Sequence, residues 1–113
     1  MQVSTESSDR MLVMSVGGRL DFTTSSGFLR ALEAAVAEAS GRALIVDCAG
    51  LTYVSSTGMR SFLIGARAAQ AGGVRFLVCG LQKMVAELFE ASGFPRFIPT
   101  HPDRAAAVAA VAP

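Results

Sequence analysis

The sequence predicts an α/β protein with a mostly parallel central sheet of 4–5 strands and about four helices. Three observations predict it. Short apolar runs alternate with amphipathic stretches of helical spacing along the chain. Glycines punctuate most of the changes between the two, with hydroxyl residues at the helix starts. The inner apolar runs are nearly continuous rather than alternating, as strands covered on both faces require. The chain has 113 residues, 51% hydrophobic and 17% charged, which suits one core and reads as a single domain over 1–113.

Each element has its own signal. Gln2 to Ser7 alternates weakly and reads as an edge strand, turning at Ser8-Asp9 into Met11 to Val16, an apolar strand stopped by Gly17-Gly18. Thr23, Thr24, Ser25 and Ser26 offer N-cap hydroxyls, and Phe28, Leu29, Leu32, Ala35, Val36 and Ala39 follow at helical spacing until Gly41. Ala43 to Ala49 is a buried strand, and a second helix opens at Ser55 to Thr57 with Met59, Phe62, Leu63 and Ala66 as its inner stripe. Val74 to Cys79 is a third buried strand. Gln82 to Ser92 is a helix with Val85, Leu88 and Phe89 inward, stopped by Gly93. Phe97-Ile98, between two prolines, reads as a short edge strand, and Asp103 to Val111 as an alanine-rich last helix. Strand–helix–strand units of this kind favour right-handed parallel crossovers, with the first strand pair as the antiparallel exception.

The totals exclude several functions. A net charge of +1 with scattered basic residues gives no footprint for nucleic acid. No apolar run reaches the roughly 18–20 residues that cross a bilayer, so no direct membrane insertion is expected. The first ten residues lack a signal-peptide layout, which gives a cytoplasmic expectation. Cys48 and Cys79 lie in separate apolar runs with no CxxC or Cys/His cluster, so they read as buried thiols, with no metal and no cofactor. His101 beside Pro102 reads as a surface turn residue with no locally paired nucleophile. With no convergent acid, base and nucleophile, the chain is not expected to be an enzyme.

Ligand sites in open parallel sheets collect where strands end and helices begin. Two such junctions stand out: Gly18-Arg19-Leu20-Asp21, and Val54-Ser55-Ser56-Thr57-Gly58-Met59. Ser56 falls at or beside a helix N-cap, where a phosphate would meet free backbone N–H groups and the positive end of the helix dipole. It would also add about −1.5 to −2 charges to a nearly neutral surface. On these residues alone a simple cap is the better reading, because Ser and Thr are general N-cap residues.

The stretch Leu51 to Arg60, the run Gly18-Arg19-Leu20-Asp21 followed by Thr23-Thr24, and Ala91-Ser92-Gly93-Phe94 leading into Phe97-Ile98 together resemble the STAS domain family, specifically its anti-sigma factor antagonists. The resemblance implies a STAS-type fold and a bacterial regulator of transcription that acts by binding. Its partners would be an anti-sigma factor that is also a serine kinase of the histidine-kinase-like ATPase fold, and a metal-dependent serine phosphatase. Binding frees a sigma factor, and phosphorylation of a serine at the start of the second helix switches the antagonist off. In the pattern Asp-Ser-Ser/Thr-Gly that serine corresponds to Ser56, with Ser55 and Thr57 as minor candidates and Gly58 as the matching glycine. Ser55 stands where the pattern has Asp, which changes local charge and kinase recognition. Asp21, Thr23, Ser55, Ser56, Thr57, Gly58, Met59 and Arg60 are the expected partner-binding residues. Asp21 has an equal reading as a turn or helix cap, Asp47 a structural one, and Phe62 reads as core. Two alternatives stay open: a lone STAS subunit of an ABC-type lipid transporter, and a STAS module that binds without being phosphorylated.

Overall fold

A computed structural model describes residues 1–96 and 98–111. It contains five strands: β1 (Gln2–Ser7), β2 (Met11–Leu20), β3 (Ala43–Val54), β4 (Arg75–Cys79) and β5 (Thr100–His101). Four helices accompany them: α1 (Ser25–Glu38), α2 (Ser56–Ala71), α3 (Lys83–Ser92) and α4 (Arg104–Val111). A 3-10 turn at Phe94–Arg96 follows α3.

The strands lie in chain order, β1-β2-β3-β4-β5, antiparallel between β1 and β2 and parallel thereafter. This order decides on which face the helices lie. Right-handed crossovers that always step the same way along a sheet must all lie on one face. Accordingly, α1, α2 and α3 share one core with Leu12, Met14, Leu44, Val46, Phe76 and Val78. The alternate strand residues Val13, Ile45, Leu77 and Cys79 face the other way, and Ala107 of α4 covers them. Continuous apolar strands are thus required in the middle of the sheet, because both faces are covered.

The main core is built around aromatic rings. Phe62 of α2 is fully buried and contacts Phe28 of α1 at 4.9 Å between centroids, Phe89 of α3 at 5.3 Å and Phe94 at 6.0 Å. Aromatic pairs at such separations gain about 0.5–1.5 kcal/mol beyond area burial. Gly65 lets α1 and α2 close on each other: a Cβ there would fall 2.2 Å from Leu32 Cδ2.

Five expectations need correction. The glycine pair at 17–18 does not stop β2, and β3 does not stop at Ala49. The two strands run on together to Leu20 and Val54 through register shifts at Ser15/Gly17 and Gly18/Arg19. Glycine inside a strand often marks such an irregularity. The last strand among the described residues is Thr100–His101, and the expected strand around Ile98 does not form at Ile98. Ile98 is a buried core residue in a bend, and Phe97 lies outside the described residues. Leu88 is not inward but 41% exposed. His101 is not a surface turn residue: it sits on β5 in register with Cys79, and its Nε2 is buried with no hydrogen-bond partner among the described residues.

Cys48 and Cys79 are buried and free, on opposite faces of the sheet. Burial pushes the Cys48 thiol well up. Burial, then the Asp47 carboxylate, pushes the Cys79 thiol up to about 12. Both are therefore protonated and unreactive at neutral pH. Asp47 has a structural role. Its carboxylate accepts Nε–H of Arg104 at 2.9 Å, while the same guanidinium donates to Ser15 Oγ at 2.8 Å and reaches Glu6 at 3.4 Å.

Candidate functional site

The two junctions singled out in the sequence meet at one end of the sheet. The Ser55 N–H donates to the Leu20 carbonyl at 2.9 Å, tying the end of β3 to the end of β2. Gly58 is buried against the same residue, and a Cβ there would stand 2.6 Å from Leu20 Cγ and 2.9 Å from its carbonyl oxygen. Only a glycine lets the start of α2 approach β2 so closely.

The cap of α2 is Ser55. Its backbone is extended, with φ −84 and ψ 172, and its Oγ accepts the Gly58 N–H at 3.1 Å. Ser56 is the first helical residue and is exposed, and its hydroxyl makes no hydrogen bond among the described residues. The capping role therefore falls on one serine and leaves its neighbour without a structural task. Thr57 is also exposed, and its carbonyl accepts the Ser61 hydroxyl at 3.3 Å.

Asp21 organises the other junction. Its Oδ1 accepts the Thr23 N–H at 3.0 Å, the Thr23 hydroxyl at 2.8 Å and the Thr24 N–H at 3.3 Å. The Thr24 hydroxyl in turn donates to the Arg19 carbonyl at 2.9 Å. These bonds, led by that from the Thr23 hydroxyl, hold the Asp21 carboxyl below the usual aspartate range. Arg19 approaches Asp21 at 3.9 Å and lies over the Tyr53 ring at 4.2 Å, linking β2 to β3 from outside.

A groove of about 640 Å³ opens beside Ser56, between α2 and α3. Met59, Leu63, Leu88 and Phe94 give it an apolar floor, and Ser56 and Arg60 lie along it. The structure thus brings Ser55 to Arg60 together with Asp21 and Thr23 across the Leu20–Ser55 bond. Two features escaped the sequence reading. One is the groove, which depends on how two helices lie side by side. The other is Phe22, 81% exposed in the turn that Asp21 fixes. Its signal was available: an aromatic residue that belongs to no helical or strand stripe.

Among the described residues no helix is long and apolar enough to cross a membrane, and no cluster of His, Cys, Asp and Glu could hold a metal ion. A mixed sheet laid in chain order, with an exposed serine at the start of its second helix, defines a small α/β domain whose distinctive chemistry lies on its surface. The chain belongs to the STAS domain family, whose profile matches residues 2–107. It is 31% identical over 110 residues to BtrV of Bordetella bronchiseptica, named an anti-sigma factor antagonist, covering 97% of this chain and 94% of that one. The fold is similar to that of an anti-sigma factor antagonist from Mycobacterium paratuberculosis, with TM-score 0.87, 23% identity, and 97% and 92% of the two chains covered. It is also similar to the anti-sigma factor antagonist SpoIIAA in its unphosphorylated form, with TM-score 0.79, 18% identity, and 97% and 96% covered. The phosphorylated form of the Bacillus protein SpoIIAA matches with TM-score 0.73, 17% identity, and 98% and 100% covered.

Proposed function

We propose that this protein is an anti-sigma factor antagonist that works by binding rather than catalysis. It docks on an anti-sigma factor that is also a serine kinase of the histidine-kinase-like ATPase fold, and so releases a sigma factor. Phosphorylation at Ser56 switches it off, and a metal-dependent serine phosphatase switches it on again. The observation that carries this reading is the division of labour between two adjacent serines. Ser55 caps α2, while the exposed Ser56 hydroxyl has no partner among the described residues. In the transfer, Ser56 Oγ forms a bond to the γ-phosphorus of ATP, the bond to ADP breaks, and the hydroxyl proton leaves. The added charge at the centre of the docking surface then repels the partner. The name carried by the Bordetella relative supports the same reading.

Ser55 in place of the family's Asp favours a second reading, a module that binds the same partner without being phosphorylated. One experiment separates them. The purified protein is incubated with ATP and the histidine-kinase-like ATPases of its own host, followed by intact-mass measurement and peptide mapping. One phosphoryl group on Ser56 supports the switch. A stable complex without modification supports the constitutive binder. Neither complex nor modification removes both and leaves the transporter subunit.

A further inference from the structure

Arg60 follows Ser56 by four residues on α2, so the two side chains share a face, with Cβ atoms about 5–6 Å apart. Both line the α2–α3 groove, and Arg60 is the one charged side chain among its described lining residues. It is exposed, and among the described residues it makes no hydrogen bond or ion pair. The first turn of α2 carries no acidic residue that could engage it. Across the Leu20–Ser55 bond, the Asp21 carboxylate is taken up by Thr23, Thr24 and Arg19. A free cation thus stands one turn from a free hydroxyl on the rim of one groove.

We infer that Arg60 is the in-chain counter-charge of phosphorylated Ser56: its guanidinium donates two N–H groups to the phosphoryl oxygens and holds the phosphate against α2, along the groove. This rests on Ser56 being the modified residue and adds a mechanism to it. Phosphorylation then does two things at once: it adds charge, and it withdraws the groove's cation from any docking partner. The order of the pair is the favourable one, with the acid N-terminal to the base at a spacing of four. The arginine fork matches a phosphate bidentately, whereas lysine offers a point charge.

The test uses full-length protein with phosphoserine incorporated biosynthetically at position 56, so that no kinase is needed. The ³¹P resonance is titrated in the wild-type background and in Arg60→Ala, Arg60→Lys and Arg67→Ala, with folding checked by circular dichroism. Unpaired phosphoserine loses its second proton near pH 6. The expected midpoint is at least about half a unit lower with Arg60 than with alanine, with lysine between, for a pairing of this strength. Arg67→Ala, an exposed arginine further along α2, leaves the midpoint unchanged. Equal midpoints in the wild-type and Arg60→Ala proteins overturn the inference, as does an equal shift from Arg67→Ala, which would make the effect one of net charge. A lowered midpoint without phosphoryl transfer from any host kinase keeps the pairing and removes the switch. Transfer to Ser56 with equal midpoints does the reverse.

Discussion

Leu20 and Gly58 are in direct apposition: a single added methyl at Gly58 would overlap both the side chain and the carbonyl of Leu20. The same carbonyl accepts the Ser55 N–H. The helix start that carries Ser56 is therefore positioned by a backbone contact with β2 that cannot shift without disturbing the sheet.

A Gly58→Ala substitution tests this. Helix propensity alone favours alanine by about 1 kcal/mol. The overlap with Leu20 is expected to outweigh it, for a net loss of about 1–3 kcal/mol. Gly27, on the exposed side of α1, has nothing within 4 Å of its would-be Cβ, so Gly27→Ala should stabilise by about 0.5–1 kcal/mol. Opposite signs in urea unfolding would verify the contact, and two stabilising substitutions would refute it.

The two serines at the head of α2 should separate stability from binding. Ser55→Ala removes the cap bond to Gly58 and should cost about 1 kcal/mol. Ser56→Ala should leave thermal unfolding within about 0.5 kcal/mol of wild type, as surface changes do. Ser56→Asp should leave the fold intact and weaken the anti-sigma factor complex by roughly tenfold or more, since like or unpaired charge in an interface costs several kcal/mol. Calorimetric titration against the partner reads this directly, and unchanged affinity would place the switch elsewhere.

The Asp47–Arg104 pair joins the middle of the sheet to the last helix. The Asp47 side chain is 13% exposed and Arg104 38%, so the pair lies between a surface and a buried bridge. Arg104→Ala should cost about 1–3 kcal/mol, the range for a charge-assisted hydrogen bond that leaves one carboxylate partly buried. A double-mutant cycle with Asp47→Ala should return a coupling energy of 0.5 kcal/mol or more, typical of contacting residues. Additive losses would mean that Arg104 acts through Ser15 and Glu6 instead.

Asp21 supplies an acid dependence with a definite sign. Its folded carboxyl titrates below the usual range because of the Thr23 and Thr24 bonds. Its contribution is therefore complete above the unfolded value near pH 4 and is lost as pH falls through the lower folded value. A carboxyl ¹³C titration should place its midpoint below the ordinary aspartate value. Replacement of Thr23 by alanine should move it back up. A midpoint at or above the ordinary value would dissolve the turn as described.

Phe62 is the shared contact of the aromatic core. Phe62→Ala should destabilise by about 3–5 kcal/mol, and Phe62→Leu by less, by chemical denaturation. A loss below 1 kcal/mol would show that Phe28, Phe89 and Phe94 collapse into the space.

The order of strands and helices was legible because each has its own local period, and the junction at Ser55 to Arg60 because hydroxyl residues and a glycine interrupt two apolar patterns. The extension of β3 through Gly50 to Val54 was not, since glycines that end one strand can bend another. Leu88 obeys the same spacing as Val85 and Phe89, yet nothing in a one-dimensional stripe says where the neighbouring helix stops covering it. His101 looked like part of a turn because its strand has only two residues. The groove and the contacts of Arg104 with Asp47, Ser15 and Glu6 depend on partners far apart in the chain and leave no local signal.

The Arg104 contacts bear on how the chain matures. Because the strands lie in chain order, each strand after the first finds its partner already synthesised. Arg104 reaches back 57 residues to Asp47, 89 to Ser15 and 98 to Glu6. A nascent chain still short of Arg104 would hold the main core complete while Asp47, on the opposite face of the sheet, kept the Ala49 N–H on its carboxylate but lacked its arginine, and α4 on emerging would fasten the first three strands together.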